Sequence, residues 1–120
     1  MKNFIFLFTL VCFALNSNVA DSQTTAAYVS NTTQPWGQNS LINGMNEIYP
    51  SDYTHYFYNS VNASQVFVPS RNFVFVEGGN SDTSMMLTFL NNNMTLIESW
   101  VSNGGILFIS AATNESFPNN

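Results

Sequence analysis

Two apolar runs of strand length, separated by a helical pattern, constrain the fold of this chain more than any other feature. One run covers residues 73–76 and the other opens the stretch 106–112. Apolar residues at consecutive strand positions are typical of burial on both faces, as in a parallel sheet. Between the runs, apolar residues recur at spacings of four and three over residues 82–101, which is the period of an amphipathic helix. Because parallel strands need a crossover connection, the pattern predicts an α/β sheet.

Three further segments complete the predicted order of elements. Residues 24–30 form a short apolar stretch and residues 53–58 are strongly aromatic, so both predict strands. Between them, apolar spacings of three and four predict a helix with Ser40 as its N-cap and Pro50 beyond its end. Residues 62–67 predict at most a short helical turn. The order predicts a doubly wound, mainly parallel α/β sheet of about four strands with flanking helices.

The long helical pattern leaves one point open, because consecutive asparagines interrupt it at residues 91–93. Asparagine is unfavourable inside a helix and favourable as a cap, so the segment is either one helix or two, with Asn92 or Asn93 starting the second. Trp100 is expected in the core, and the glycines at residues 104–105 end the segment. The apolar stripe that we expect to face the sheet consists of Met86, Leu90, Met94, Ile97 and Val101.

Residues 1–20 have the pattern of a cleavable export signal. Lys2 precedes an uncharged apolar run at residues 4–15, and we expect cleavage after Ala20. The run has 12 residues, whereas a membrane span needs about 20. An uncleaved N-terminal anchor or a core helix is the alternative. We therefore expect a secreted or cell-surface protein whose α/β domain covers residues 21–120, with no membrane span after cleavage.

Removal of the signal limits the chemistry of the domain. Cys12 is the only cysteine, so residues 21–120 have no disulfide, cysteine-ligated zinc site or cysteine nucleophile. Loss of Lys2 leaves Arg71 as the only Lys or Arg beside seven carboxylates. This acidic balance excludes nucleic acid as an expected partner, and we predict no cofactor.

Four strands are few for a sheet that helices cover on both faces, and no helical pattern follows the last one. We therefore expect residues 21–120 to be the opening part of a larger fold. A complete small domain is the alternative.

Ligands of an open α/β sheet gather at the carboxyl ends of its strands, so the candidate site residues are those that follow each strand. After residues 73–76, two glycines let the backbone approach a ligand, and the start of the next helix offers N–H groups to an anion. The alternative is a plain turn with Ser81 or Asp82 as N-cap. The candidate ligand-binding residues are Trp36, Glu77, Gly78, Gly79, Asn80, Asp82, Asn114 and Glu115.

Alternatives also remain for individual residues. Glu77, Asp82 and Glu115 could hold a hard cation such as calcium, but no calcium-loop motif is present and solvated acids are the simpler interpretation, so we predict no metal site. Trp36 is either an exposed ring for a carbohydrate or protein partner or a loop tryptophan that closes over the core. His55 is expected to pack beside aromatic neighbours; catalysis is the alternative, although no G-x-S-x-G elbow exists.

The second half of the chain carries a recognisable series of motifs. A strand at residues 73–76 ends in Glu77 and two glycines, a helix ends in the sequence ESWVSNGG, and a strand at residues 106–109 follows. This series resembles the class I glutamine amidotransferase-like (flavodoxin-like) fold. The family's nucleophile is a cysteine in the turn after the strand, where this chain has no cysteine at residues 110–115. The resemblance therefore implies the fold without the amidotransferase activity.

The stretch from the opening strand to residues 103–105 also resembles the N-terminal module of large secreted or cell-surface proteins of gliding bacteria. We accordingly predict an exported, non-catalytic binding or scaffolding module. Its expected partners are other domains of the same polypeptide or an extracellular protein or glycan. Two alternatives stay open: a hydrolase of the amidotransferase-like fold that uses residues beyond 120, and a calcium-dependent adhesin domain.

Overall fold

A computed structural model describes the protein over residues 24–79 and 83–111. The predicted export signal lies outside these described residues. The four strands are β1 Ala26–Ser30, β2 Tyr53–Phe57, β3 Phe73–Glu77 and β4 Ile106–Ser110. The helices are α1 Ser40–Ile48, α2 Ala63–Val66, α3 Thr83–Asn92 and α4 Met94–Ser102, and a short 3₁₀ turn covers Pro35–Gly37.

The strands form one sheet in the order β2-β1-β3-β4, and every neighbouring pair is parallel. The chain leaves β1 toward one edge to form β2, and it then returns across β1 to form β3. The direction in which the chain moves across the sheet therefore reverses between β1 and β3. The crevice at the carboxyl ends of these two strands is the topological switch point, where ligands of such sheets bind. The predicted α/β class and parallel pairing are confirmed.

Helices cover both faces of the sheet, as expected for a doubly wound fold. On one face, which we call the α1 face, Met45 of α1 packs against Ala26, Tyr28 and Phe75. The opposite face carries a larger core, in which α2, α3 and α4 pack on alternate strand residues. The strand residues are Ala27, Val29, Val74 and Val76, and the helix residues include Val66, Met86 and Trp100. β3 is buried on both faces, as its unbroken apolar run predicts.

The interrupted helical segment is two helices, because the pattern breaks at Asn93. The Asn93 side-chain amide donates to the carbonyl of Phe89 at 2.7 Å and so occupies an acceptor at the end of α3. Asn93 precedes α4 as its N-cap residue without a side-chain capping bond. The two-helix alternative is thus confirmed, although asparagine acts here mainly on the helix that ends.

The predicted apolar stripe is wrong at two positions after this break. Met94 is 45 % exposed and Val101 is 43 % exposed. Phe89 is buried although the stripe omits it, and Trp100 is buried as predicted. The buried residues Met86, Phe89, Ile97 and Trp100 keep one helical face on both sides of Asn93, and Met94 and Val101 lie at the border of that face.

The end of α4 explains the glycine pair in structural terms. The N–H of Gly104 donates to Val101 and the N–H of Gly105 donates to Trp100, which is the Schellman pattern of helix termination. Gly104 has a φ of +101°. A Cβ at Gly105 would clash with ring atoms of the Trp100 indole. The WVSNGG sequence therefore serves helix termination and packing.

Two other predictions need correction. β4 is exposed rather than buried, with Ile106 61 % and Phe108 53 % exposed, because it lies at an edge of the sheet with no neighbour on one side among the described residues. Ser40 is the first residue of α1, and Asn39 occupies the N-cap position without a side-chain capping bond.

Arg71 is a buried cation that acts on the backbone at the amino ends of the strands. It is 3 % exposed, and its Nη1 donates to the carbonyls of Gln65 and Val66 at 2.7 Å each. These carbonyls lie in the last turn of α2, where a cation is favourable. The guanidinium also lies 5.5 Å from the centre of the Tyr56 ring. Arg71 thus has a structural role.

Candidate functional site at the carboxyl edge of the sheet

The candidate site lies where the strands end on the α1 face. Side chains alternate along a strand, so the last residue of each strand shares this face with Tyr28 and Phe75. These last residues are Phe57, Ser30, Glu77 and Ser110 in sheet order. Ser30 and Glu77 come from β1 and β3 and therefore flank the switch point.

Glu77 is the buried carboxylate of this edge. It is 1 % exposed, and its Oε1 accepts the backbone N–H of Gly79 at 2.7 Å. Its Oε2 is buried and has no hydrogen-bond partner among the described residues. A buried polar atom without a partner is energetically unfavourable. Because no donor among the described residues pairs with this oxygen, we expect a donor from outside them.

Tyr28 supplies a second unpaired group beside it. Its ring is fully buried, and its phenolic oxygen has no hydrogen-bond partner among the described residues. Burial is the main cause that raises its pKa to about 12; the nearby Ser30 side chain opposes the rise without completing a hydrogen bond, and the charge of Glu77 adds to it. Tyr28 therefore stays protonated at neutral pH.

Aromatic rings form a continuous row across the sheet just below this polar edge. Tyr28 stacks on His55 at 4.6 Å between ring centres and contacts Phe75 at 5.1 Å. Phe57 lies 4.5 Å from His55, and Phe108 lies 5.1 Å from Phe75. Three of these contacts join neighbouring strands and the contact between His55 and Phe57 lies within β2, so the row spans all four strands and forms an apolar floor for the polar groups.

Ser30 and His55 form a hydrogen bond whose direction can be assigned. Ser30 Oγ lies 2.8 Å from His55 Nε2 and 2.6 Å from the carbonyl oxygen of Thr32. The carbonyl can only accept, so the single serine proton goes to Thr32 and Nε2–H of His55 donates to Ser30. Burial lowers the pKa of His55, which favours this neutral ring. His55 thus donates to Ser30 instead of removing its proton.

The predicted glycine pair holds the site without contributing free N–H groups. A Cβ at Gly78 would lie 2.5 Å from Sδ and 3.2 Å from Cβ of Met86, so α3 approaches this turn closely. The Gly78 N–H donates to Ser110 at 2.8 Å, and the Gly79 N–H is bound to Glu77. Thr83 Oγ1 donates to the Gly78 carbonyl at 2.6 Å and ties the start of α3 to this turn.

Several predicted residues cannot be placed relative to this edge. The backbone of Trp36 lies in the 3₁₀ turn after β1, but its side chain is outside the described part. Asn80, Asp82, Asn114 and Glu115 lie outside it as well. Within residues 24–79 and 83–111, no three His, Cys, Asp or Glu side chains come together as a metal site.

The sequence prediction missed Tyr28 and Ser30. It considered the residues that follow each strand, whereas these two lie inside β1. The signal that could have found them is the alternation of the strand, which places both on one face and leads to a polar side chain at its last position.

Two other grooves among the described residues are lined by neither Glu77 nor Tyr28. One, of about 520 Å³, lies at the opposite end of the sheet between Arg71 and Trp100. The Arg71 guanidinium binds carbonyls there, and Trp100 Nε1 donates to Val68 at 3.1 Å. A smaller, mainly apolar groove of about 310 Å³ lies between α1 and β4. The unpaired atoms of Glu77 and Tyr28 therefore distinguish the carboxyl edge.

Comparisons of the chain with protein-family models, with curated proteins and with solved structures find no match. No helix within the described ranges is long and apolar enough to cross a membrane. The functional assignment therefore depends on the carboxyl-edge site.

Proposed function

We propose that this chain is an exported, non-catalytic binding module that holds a small polar ligand at the crevice between β1 and β3. One observation carries the proposal: within residues 24–79 and 83–111, the buried Oε2 of Glu77 and the buried hydroxyl of Tyr28 have no hydrogen-bond partner at the switch point of the sheet. Buried polar groups normally have partners. A ligand that pairs with both groups removes the cost of burying them.

The direction of the hydrogen bond between His55 and Ser30 supports a binding function rather than a hydrolase function. A serine nucleophile needs a base that takes its proton, whereas Ser30 donates to Thr32 and is itself fully buried. The pair instead fixes the His55 ring against Tyr28 at 4.6 Å. It thereby supports the wall of the site.

Export and family membership are part of the proposal and have separate support. Export is supported by the basic start, apolar run and small residues within residues 1–20. The strand order β2-β1-β3-β4 is that of the first four strands of flavodoxin-like sheets, which supports the resemblance to the amidotransferase-like fold. The helix-to-GG sequence adds nothing to that resemblance, because termination of α4 and packing on Trp100 account for it.

The test compares the ligand-free stability of Tyr28→Phe and Tyr53→Phe by urea denaturation of the full chain. Tyr28→Phe removes an unpaired buried hydroxyl, so we expect the free energy of unfolding to stay equal or rise by about 1 kcal/mol. Tyr53→Phe is the control, since Tyr53 donates to Asn46 at 3.0 Å and its loss is expected to lower stability slightly. A loss of more than about 1 kcal/mol in Tyr28→Phe would show a structural partner and contradict the proposal.

A further inference from the structure

The two unpaired atoms of the proposed binding site make opposite demands on a ligand. Oε2 of the Glu77 carboxylate can only accept a hydrogen bond. The Tyr28 hydroxyl keeps its proton and needs an acceptor for it. A complementary ligand therefore presents a donor next to an acceptor.

The charge of Glu77 narrows the identity of the donor. The chain has only two Lys or Arg residues: Lys2 lies outside the described residues, and Arg71 binds carbonyls at the other end of β3. Six residues of extended chain place Arg71 roughly 20 Å from Glu77. A buried carboxylate is stable when a cation neutralises it. Since the described residues bring no cation to Glu77, a cationic donor on the ligand fits this position best.

The aromatic row favours the same class of ligand. The rings of Tyr28, His55 and Phe57 lie in contact immediately beside the polar edge. Tyrosine and phenylalanine faces attract ammonium groups, and the attraction increases when water is excluded. The net charge of −5 also favours the approach of cations.

Building on the proposed function, we propose that the site binds a small amino alcohol. Its ammonium group donates to Oε2 of Glu77, and its neighbouring hydroxyl oxygen accepts the Tyr28 proton. Each group of the ligand thus meets one of the two unpaired atoms.

Three probes of equal heavy-atom count test this assignment. Ethanolamine carries both groups, propan-1-amine carries only the ammonium and ethylene glycol carries no charge. Each is titrated into the ¹⁵N-labelled full chain, with the amide resonances of Gly78 and Gly79 as reporters. We expect ethanolamine to bind at least tenfold more tightly than either of the other two probes.

Substitutions of Glu77 and Tyr28 test the two proposed ligand contacts one at a time. Glu77→Gln keeps the acceptor for Gly79 and removes the charge, so ethanolamine binding is expected to weaken at least tenfold. Glu98→Gln removes an equal charge at an exposed position of α4 and is expected to leave binding unchanged. Tyr28→Phe is expected to reduce ethanolamine to the affinity of propan-1-amine, and it serves as the decisive variant if Glu77→Gln does not fold.

Other outcomes overturn the assignment. If ethylene glycol binds as tightly as ethanolamine, the ligand is a neutral hydroxyl compound; if calcium chloride alone shifts the reporters in a Glu77-dependent manner, it is a metal ion. Both results refute the amino alcohol and leave the binding function standing. If no probe binds, the amino alcohol is also refuted, and the binding function is then decided by the stability of Tyr28→Phe.

Discussion

At the scale of single residues, the titratable ring of His55 also makes a structural hydrogen bond. Its Nε2–H donates to Ser30, and its ring stacks on Tyr28 and contacts Phe57. Protonation would place a positive charge in this partly buried aromatic setting. Burial accordingly lowers its pKa from the ordinary value of 6.5.

This shift predicts a pH dependence of stability. The folded-state pKa of His55 is lower than the unfolded value, so its contribution is fully present above pH 6.5 and is lost as the pH falls through the folded pKa. We expect the free energy of unfolding, measured by urea denaturation, to decrease as the pH falls from about 7 to 5, with a slope of at most about 1.4 kcal/mol per pH unit for one proton. His55→Phe keeps a ring at this position and is expected to remove the slope. A slope that persists in this variant would assign it to carboxyl groups.

At the scale of elements, we expect Gly→Ala substitutions at two positions to change the free energy of unfolding in opposite directions. A Cβ at Gly105 would overlap the Trp100 indole, whereas a Cβ at Gly44, inside α1, meets nothing within 4 Å. Gly105→Ala is therefore expected to lower the free energy of unfolding by about 1–3 kcal/mol. Gly44→Ala is expected to raise it by about 0.5–1 kcal/mol, since alanine favours a helix interior. Urea denaturation measures both, and equal effects would contradict the packing role of Gly105.

The accuracy of the sequence prediction also varied by element, for physical reasons. β3 was predictable because it is central and its residues at positions 74–76 are buried on both faces. β4 has a similar apolar sequence, yet it is exposed, because position in a sheet depends on pairing that no local pattern encodes. The break between α3 and α4 was predictable from Asn93, but the exposure of Met94 and Val101 at the border of the buried face was not.

At the scale of the whole molecule, only part of the candidate site could be predicted. The strand-end principle pointed to Glu77, Gly78 and Gly79, because it depends on topology alone. The pairing of Tyr28 with His55 depends on the register of β1 against β2, which residues distant in sequence set together. The absence of partners for the Glu77 and Tyr28 oxygens among the described residues depends on packing in three dimensions, so no sequence pattern predicts it.

The exposed edge predicts the behaviour of the protein at high concentration. Ile106 and Phe108 of β4 lie on the same face, and both are more than half exposed. An apolar edge strand such as β4, which has no neighbour on one side among the described residues, is a template for pairing with another chain. We expect self-association that rises with concentration in sedimentation velocity and decreases in Phe108→Lys. Leu87→Lys, at a 49 % exposed position on α3, is the control and is expected to leave association unchanged; equal effects would contradict the role of the edge.

The aromatic row has one more consequence, for spectroscopy. Three of its four ring contacts join register-matched residues on neighbouring strands, so a slip of one residue between any of these pairs would turn rings to opposite sides of the sheet. Rings held this close in a chiral array produce near-ultraviolet circular dichroism and ring-current shifts. The row thus makes the strand alignment of the native state visible to optical and magnetic measurements without any added label.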